Sequence, residues 1–105
     1  MENIKIGFQV AAQHGEYKRM RDRWMEAEAL GVDALYTCDH FFAQIVPQKF
    51  GSGEQHEYPA ANNGLNFEGT TIQAAMAATT THPQIGCLVH ATGFRNAIQD
   101  RKSVV

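Results

Sequence analysis

The chain has 105 residues, 44% of them apolar and 19% charged, with a formal net charge of −2. That balance is too apolar for a disordered chain. It holds no Lys/Arg block to attract nucleic acid, and no apolar run near the roughly 20 residues of a membrane helix.

The opening residues, Met1 to Ile6, lack the basic-then-apolar layout of a secretory signal. The expectation is a cytoplasmic protein acting on a small molecule, with neither nucleic acid nor membrane as partner. Cys38 and Cys87 each sit inside an apolar, strand-like run. They read as buried free thiols of a reducing compartment rather than as a disulfide.

Residues 4–10 alternate early and then become more apolar, which predicts a first strand. A loop over 11–15 ends at Gly15. From Glu16 to Leu30 the apolar residues Tyr17, Met20, Trp24, Ala27 and Leu30 recur at three- and four-residue steps, the mark of a one-faced helix. Gly31 supplies the left-handed residue that ends many helices. Residues 32–38 form a second strand, apolar on both faces, as suits a parallel strand covered by helices.

A long connection follows over 42–66, holding Pro47, Pro59 and several glycines, and connections of that length tend to be functional or mobile. Asn66 can cap a helix from Phe67 to about Thr80, with Ile72, Ala75, Met76 and Ala78 as its apolar residues. His82-Pro83 stops it. Residues 84–90 make the third strand and 91–96 its exit, and a third helix starts at Ala97.

The order β-α-β-α-β-α predicts an α/β fold with a parallel sheet and right-handed crossovers. Such an order opens either a doubly wound sheet or a (βα)8 barrel. No Gly-x-Gly-x-x-Gly follows the first strand, so the dinucleotide fingerprint is absent. A barrel needs about 250 residues, and the chain stops in mid-helix, so the expectation is a truncated barrel: its first three βα units, in one partial domain over 1–105.

The most informative residues are Asp39 and His40, a carboxylate beside an imidazole where the second strand ends. The carboxyl ends of parallel strands are where ligands and chemistry collect. Asp39 suits either a ligand or local capping of backbone N–H groups. The imidazole of His40 is of the side-chain type best suited to proton transfer near neutral pH. His90 ends the third strand as His40 ends the second, so Asp39, His40 and His90 offer a metal face, although no His-x-His on the first strand supports it. His14, His56 and His82 read as solvated loop residues, and Tyr17, Met20 and Trp24 as core. Arg95 suits an anionic group or an exposed guanidinium equally.

Several segments in order resemble the N-terminal portion of the luciferase-like flavin- or deazaflavin-dependent oxidoreductases. They are residues 4–9 (IKIGFQ), 24–35 (WMEAEALGVDAL), 38–42 (CDHFF), 67–71 (FEGTT), 85–89 (IGCLV) and 94–96 (FRN). The Asp-His-Phe-Phe and Leu-Val…Phe-Arg-Asn blocks look most like the branch that uses coenzyme F420. The resemblance spans nearly the whole chain except 43–66. It implies a (βα)8 barrel, with an F420 or FMN ring at the carboxyl ends of the strands and hydride transfer to or from a small organic substrate.

On that basis His40 is the expected proton donor and Asp39 its orienter and a cofactor contact. Leu88, Val89, His90 and Ala91 form the ring platform, where the family carries a non-proline cis peptide. The later strands and loops that hold the cofactor's phosphate-bearing tail are missing. Ala97 stands where the family often has proline, and the 43–66 loop is longer than the family's. Two other expectations belong to different classes: a non-catalytic fragment whose open edges make it a homo-oligomer, and a metal-dependent barrel hydrolase.

Overall fold

The computed structural model describes residues 4–13, 15–41, 48–50, 54–56, 65–91 and 93–98. Three strands, β1 (Gly7–Gln9), β2 (Ala34–Thr37) and β5 (Gln84–Cys87), form one parallel sheet in the order β1-β2-β5. Phe8 lies opposite Leu35, and Leu35 opposite Ile85. The ladder runs one step past both outer strands, with Val10 N donating to Tyr36 O at 2.8 Å and Leu88 N to Thr37 O at 2.8 Å. The strands are shorter than the sequence predicts because Ile4 and Ile6 stand exposed and Leu88–Val89 turns.

Helices α1 (Tyr17–Ala29) and α2 (Gly69–Thr79) both pack over the face that carries Leu35. The core there is Val10, Met20, Trp24, Ala27, Leu35, Ile72 and Met76. Trp24 is fully buried and donates its indole N–H to Thr79 Oγ1 at 3.0 Å, so the two helices are joined by a polar contact inside an apolar one. Gly31 takes φ +82° and ends α1 as the sequence predicts. Leu30 does not join the apolar stripe: it is 81% exposed, because α1 ends at Ala29 before another turn could carry it inward.

On the opposite face, the ring of Tyr36 reaches across both neighbouring strands. A β-carbon at Gly7 or at Gly86 would lie 2.8 Å from its ring carbons, so the two glycines make the room. The Glu28 carboxylate at the end of α1 accepts from Thr81 N at 2.6 Å and His82 N at 3.1 Å, pinning the α2–β5 connection. Sequential strand order with both helices over one face is shared by the start of a barrel and by one half of a doubly wound sheet.

Two expectations are corrected. The connection over 42–66 contains an antiparallel pair, β3 (Gln48–Phe50) with β4 (Glu54–His56), so His56 belongs to a strand. Three-residue, mostly polar strands carry no readable periodicity. Asn66 does not cap α2. The cap is Glu68, whose carboxylate accepts from Thr70 N at 3.2 Å and Thr71 N at 2.7 Å. Asn66 is drawn away by the fold, pairing with Gln13 and donating from Nδ2 to the carbonyl of His40.

Both cysteines are free, Cys38 buried and Cys87 half-buried. Ala97 and Ile98 are helical, with Asn96 Oδ1 accepting from Ile98 N at 2.9 Å, so the third helix starts where predicted. The rest of the segment predicted as that helix, like His14, lies outside the described residues. Among the described residues no helix is long and apolar enough to cross a membrane.

Candidate functional site

Asp39 sits two residues beyond β2, at the carboxyl end of the sheet, with its side chain 2% exposed. A buried carboxylate must be paired to stay charged. Here Arg95 Nη1 donates to Oδ2 at 2.6 Å and Nη2 to Oδ1 at 3.1 Å, a two-pronged guanidinium–carboxylate pair. Gly69 N, at the first residue of α2, donates to Oδ1 at 3.2 Å, and Ala91 N, beyond β5, donates to Oδ2 at 3.3 Å. Each oxygen therefore takes two donors, and the carboxylate's four acceptor positions are filled.

Asp39 thus fastens three elements at one point: the end of β2, the start of α2 and the exit of β5. The Arg95 hydrogen bonds, helped by the two backbone donors and the guanidinium charge, hold its pKa down at about 2 against the opposing effect of burial. Gly69 is part of the device. A β-carbon there would lie 2.9 Å from Oδ1 and 3.0 Å from both Cβ and Cγ of Asp39, so only glycine lets α2 come this close.

Arg95 is the residue that sequence reasoning left undecided. Its side chain is 13% exposed, and it also pairs with Glu68, which is at the same time the cap of α2. A local signal was available: an arginine shortly after a strand, in a chain with one carboxylate at the neighbouring strand's end. The match across 56 residues needs the fold to reveal it. His90 joins the cluster, with Nδ1 at 3.4 Å from Arg95 Nη1 and 3.8 Å from Asp39 Oδ2. The thiol of Cys87 is pushed up to about 11 by burial, with the charges of Asp39 and Cys38 adding to it.

In front of this cluster lies a cleft of about 580 Å³, lined by Asp39, His40, Phe41, Asn66, Glu68, Thr70, Phe94 and Arg95. That volume is within the range of small-molecule sites. Its aromatic edge is Phe41 against Phe94, centroids 5.2 Å apart at 65°. The buried hydroxyl of Thr70 has no hydrogen-bond partner among the described residues. His40 is half-buried and reaches the cleft, with its backbone carbonyl tied to Asn66. Asp39 takes its donors from Arg95 and two backbone amides, so the expected orienting bond to the His40 ring is replaced by the guanidinium pair.

Leu88 and Val89 stand 52% and 69% exposed, and the peptide bond between them is cis. The metal face of Asp39, His40 and His90 is not formed. Among the described residues no group of three metal-binding side chains comes together, and a guanidinium occupies the place a cation would take on Asp39. Comparison with protein-family models, with curated proteins and with solved structures finds no match.

Proposed function

We propose that this chain is the N-terminal part of a cytoplasmic luciferase-like oxidoreductase, the first three βα units of a (βα)8 barrel. Its ligand is a deazaflavin (coenzyme F420) or FMN, with F420 favoured by the sequence blocks that end the second and third strands. The observation that carries this reading is a single junction. The two segments to which the resemblance assigns the cofactor ring, residue 39 after β2 and residues 88–91 after β5, meet through the hydrogen bond from Ala91 N to Asp39.

The residues present fit such a ring. Exposed Leu88 and Val89 provide apolar surface for a flat face, and Phe41 and Phe94 border the cleft. The bound ring would accept or donate hydride, and the protein would supply position and a proton. His40 lines the cleft and its ring has no hydrogen-bond partner among the described residues, which leaves it able to give or take the substrate's proton as hydride moves. Asp39 and Arg95, paired with each other in the wall of the cleft, hold the strand ends in register.

The test is titration of the purified chain with F420 and with FMN, followed by ring absorbance and fluorescence. Saturable binding of either is the expected result, and no binding at high micromolar ligand would end the claim that this chain holds a cofactor by itself. A second reading, a non-catalytic fragment that self-associates, is favoured by exposed Phe8 on β1 and exposed Ile4 and Ile6 just before it. Light scattering on the same sample separates the two, since a monomer that binds the ring excludes it.

A further inference from the structure

Arg95 does more than neutralise Asp39. We infer that it sets the tautomer of His90, so that the neutral imidazole carries its proton on Nε2 and presents that N–H as a fixed donor at the end of β5. The inference is independent of which cofactor or substrate the cleft takes.

Two groups face Nδ1 of His90 and pull in opposite directions. Asp39 Oδ2, at 3.8 Å, would favour a proton on Nδ1; Arg95 Nη1, at 3.4 Å, can only donate and so requires Nδ1 to accept. The occupancy of Asp39 decides between them. Oδ2 already accepts from Arg95 Nη1 and Ala91 N, and Oδ1 from Arg95 Nη2 and Gly69 N. No acceptor position is left on either oxygen for an Nδ1–H, whereas the guanidinium is nearer and cationic.

Glu68, the other carboxylate paired with Arg95, is engaged by the guanidinium and by the first turn of α2. The His90 side chain is 19% exposed, and no described residue accepts from Nε2. The ring is therefore oriented on one nitrogen by the protein and open on the other, the usual way a structure fixes a histidine's role. The ligand group it suits is a hydrogen-bond acceptor, such as a carbonyl oxygen. Arg95 is a positioning residue in this arrangement.

The experiment is a long-range 1H–15N correlation on the full chain labelled with 15N-histidine. It is recorded near pH 8, above the usual imidazole range, and the His90 signals are assigned by their loss in His90→Gln. The expected result is an unprotonated Nδ1 and a protonated Nε2, preferred by about tenfold, the size of a hydrogen bond from a charged donor. A wild-type spectrum showing Nδ1–H, or an even mixture, overturns the proposal without any variant. In Arg95→Met the preference should collapse toward a mixture or pass to Nδ1–H as Asp39 loses its partner. A folded variant with the wild-type preference intact would remove Arg95 as the cause. Dispersion of the Trp24 indole signal reports folding, and should the variant unfold, the wild-type spectrum decides alone.

Discussion

Replacing Gly69 with alanine tests the idea that α2 is docked on Asp39 at a distance only glycine permits. In an ordinary helix the change would help, by up to about 1 kcal/mol in the interior and less at the first residue. Here the new methyl would sit 2.9–3.0 Å from three atoms of Asp39. The carboxylate cannot swing aside cheaply, because two backbone amides and both arms of Arg95 hold it. Overpacking of this kind costs about 1–3 kcal/mol. The net expectation is destabilisation of about 1–2 kcal/mol, which at a urea slope near 1–1.5 kcal/mol/M lowers the unfolding midpoint by about 1 M.

Urea unfolding followed by fluorescence of fully buried Trp24 gives the midpoint. The decisive measurement is a double-mutant cycle. With Asp39→Ala as background two of the three close atoms, Oδ1 and Cγ, are gone and the hydrogen bonds that hold the remaining Cβ in place go with them, so Gly69→Ala should cost much less than in the wild type. The coupling between the two positions should be about 1 kcal/mol. An unchanged or raised midpoint for the single variant, or the same shift in both backgrounds, would refute the docking argument.

Two further outcomes are expected. The pKa of Asp39 is depressed from 3.8 to about 2, so its ionised form contributes stability that is fully present above 3.8 and is lost as pH falls from there toward 2, about 2 kcal/mol in all. The stability gap between wild type and Asp39→Asn should close over that window, and a gap that persists below it would contradict the pairing with Arg95. Trp24→Phe removes both packed volume and the donor to Thr79, and should cost about 2–3 kcal/mol. Thermal melting followed by far-ultraviolet circular dichroism should show a fall of at least about 10 °C; a smaller change would mean the indole is not a keystone between the helices.

The strand–helix order was legible because it is written in local periodicity. Met20, Trp24 and Ala27 repeat at helical spacing and are buried together; in the run 34–37, Leu35 and Thr37 are buried on the face that the helices cover, and Ala34 on the other. The ends of elements were less legible, since they depend on what competes for each residue. Asn66 has the chemistry of a cap but is taken by His40 and Gln13, and Glu68 caps in its place. The β3–β4 pair was invisible because strands of three mostly polar residues show no period.

The site divides in the same way. Asp39 and His40 could be singled out by position alone, because a carboxylate and an imidazole just past an apolar run must lie at a strand end. Their division of labour could not. The sequence by itself determined the α/β element order, the two free thiols and the place where polar chemistry gathers. Only the tertiary structure decided that Asp39 belongs to Arg95, Gly69 and Ala91 and leaves His40 open to the cleft. Periodicity acts over a few residues and can be read along the chain. A carboxylate's partner is chosen by which donors the sheet brings within about 3 Å of it, and that is a property of the folded arrangement.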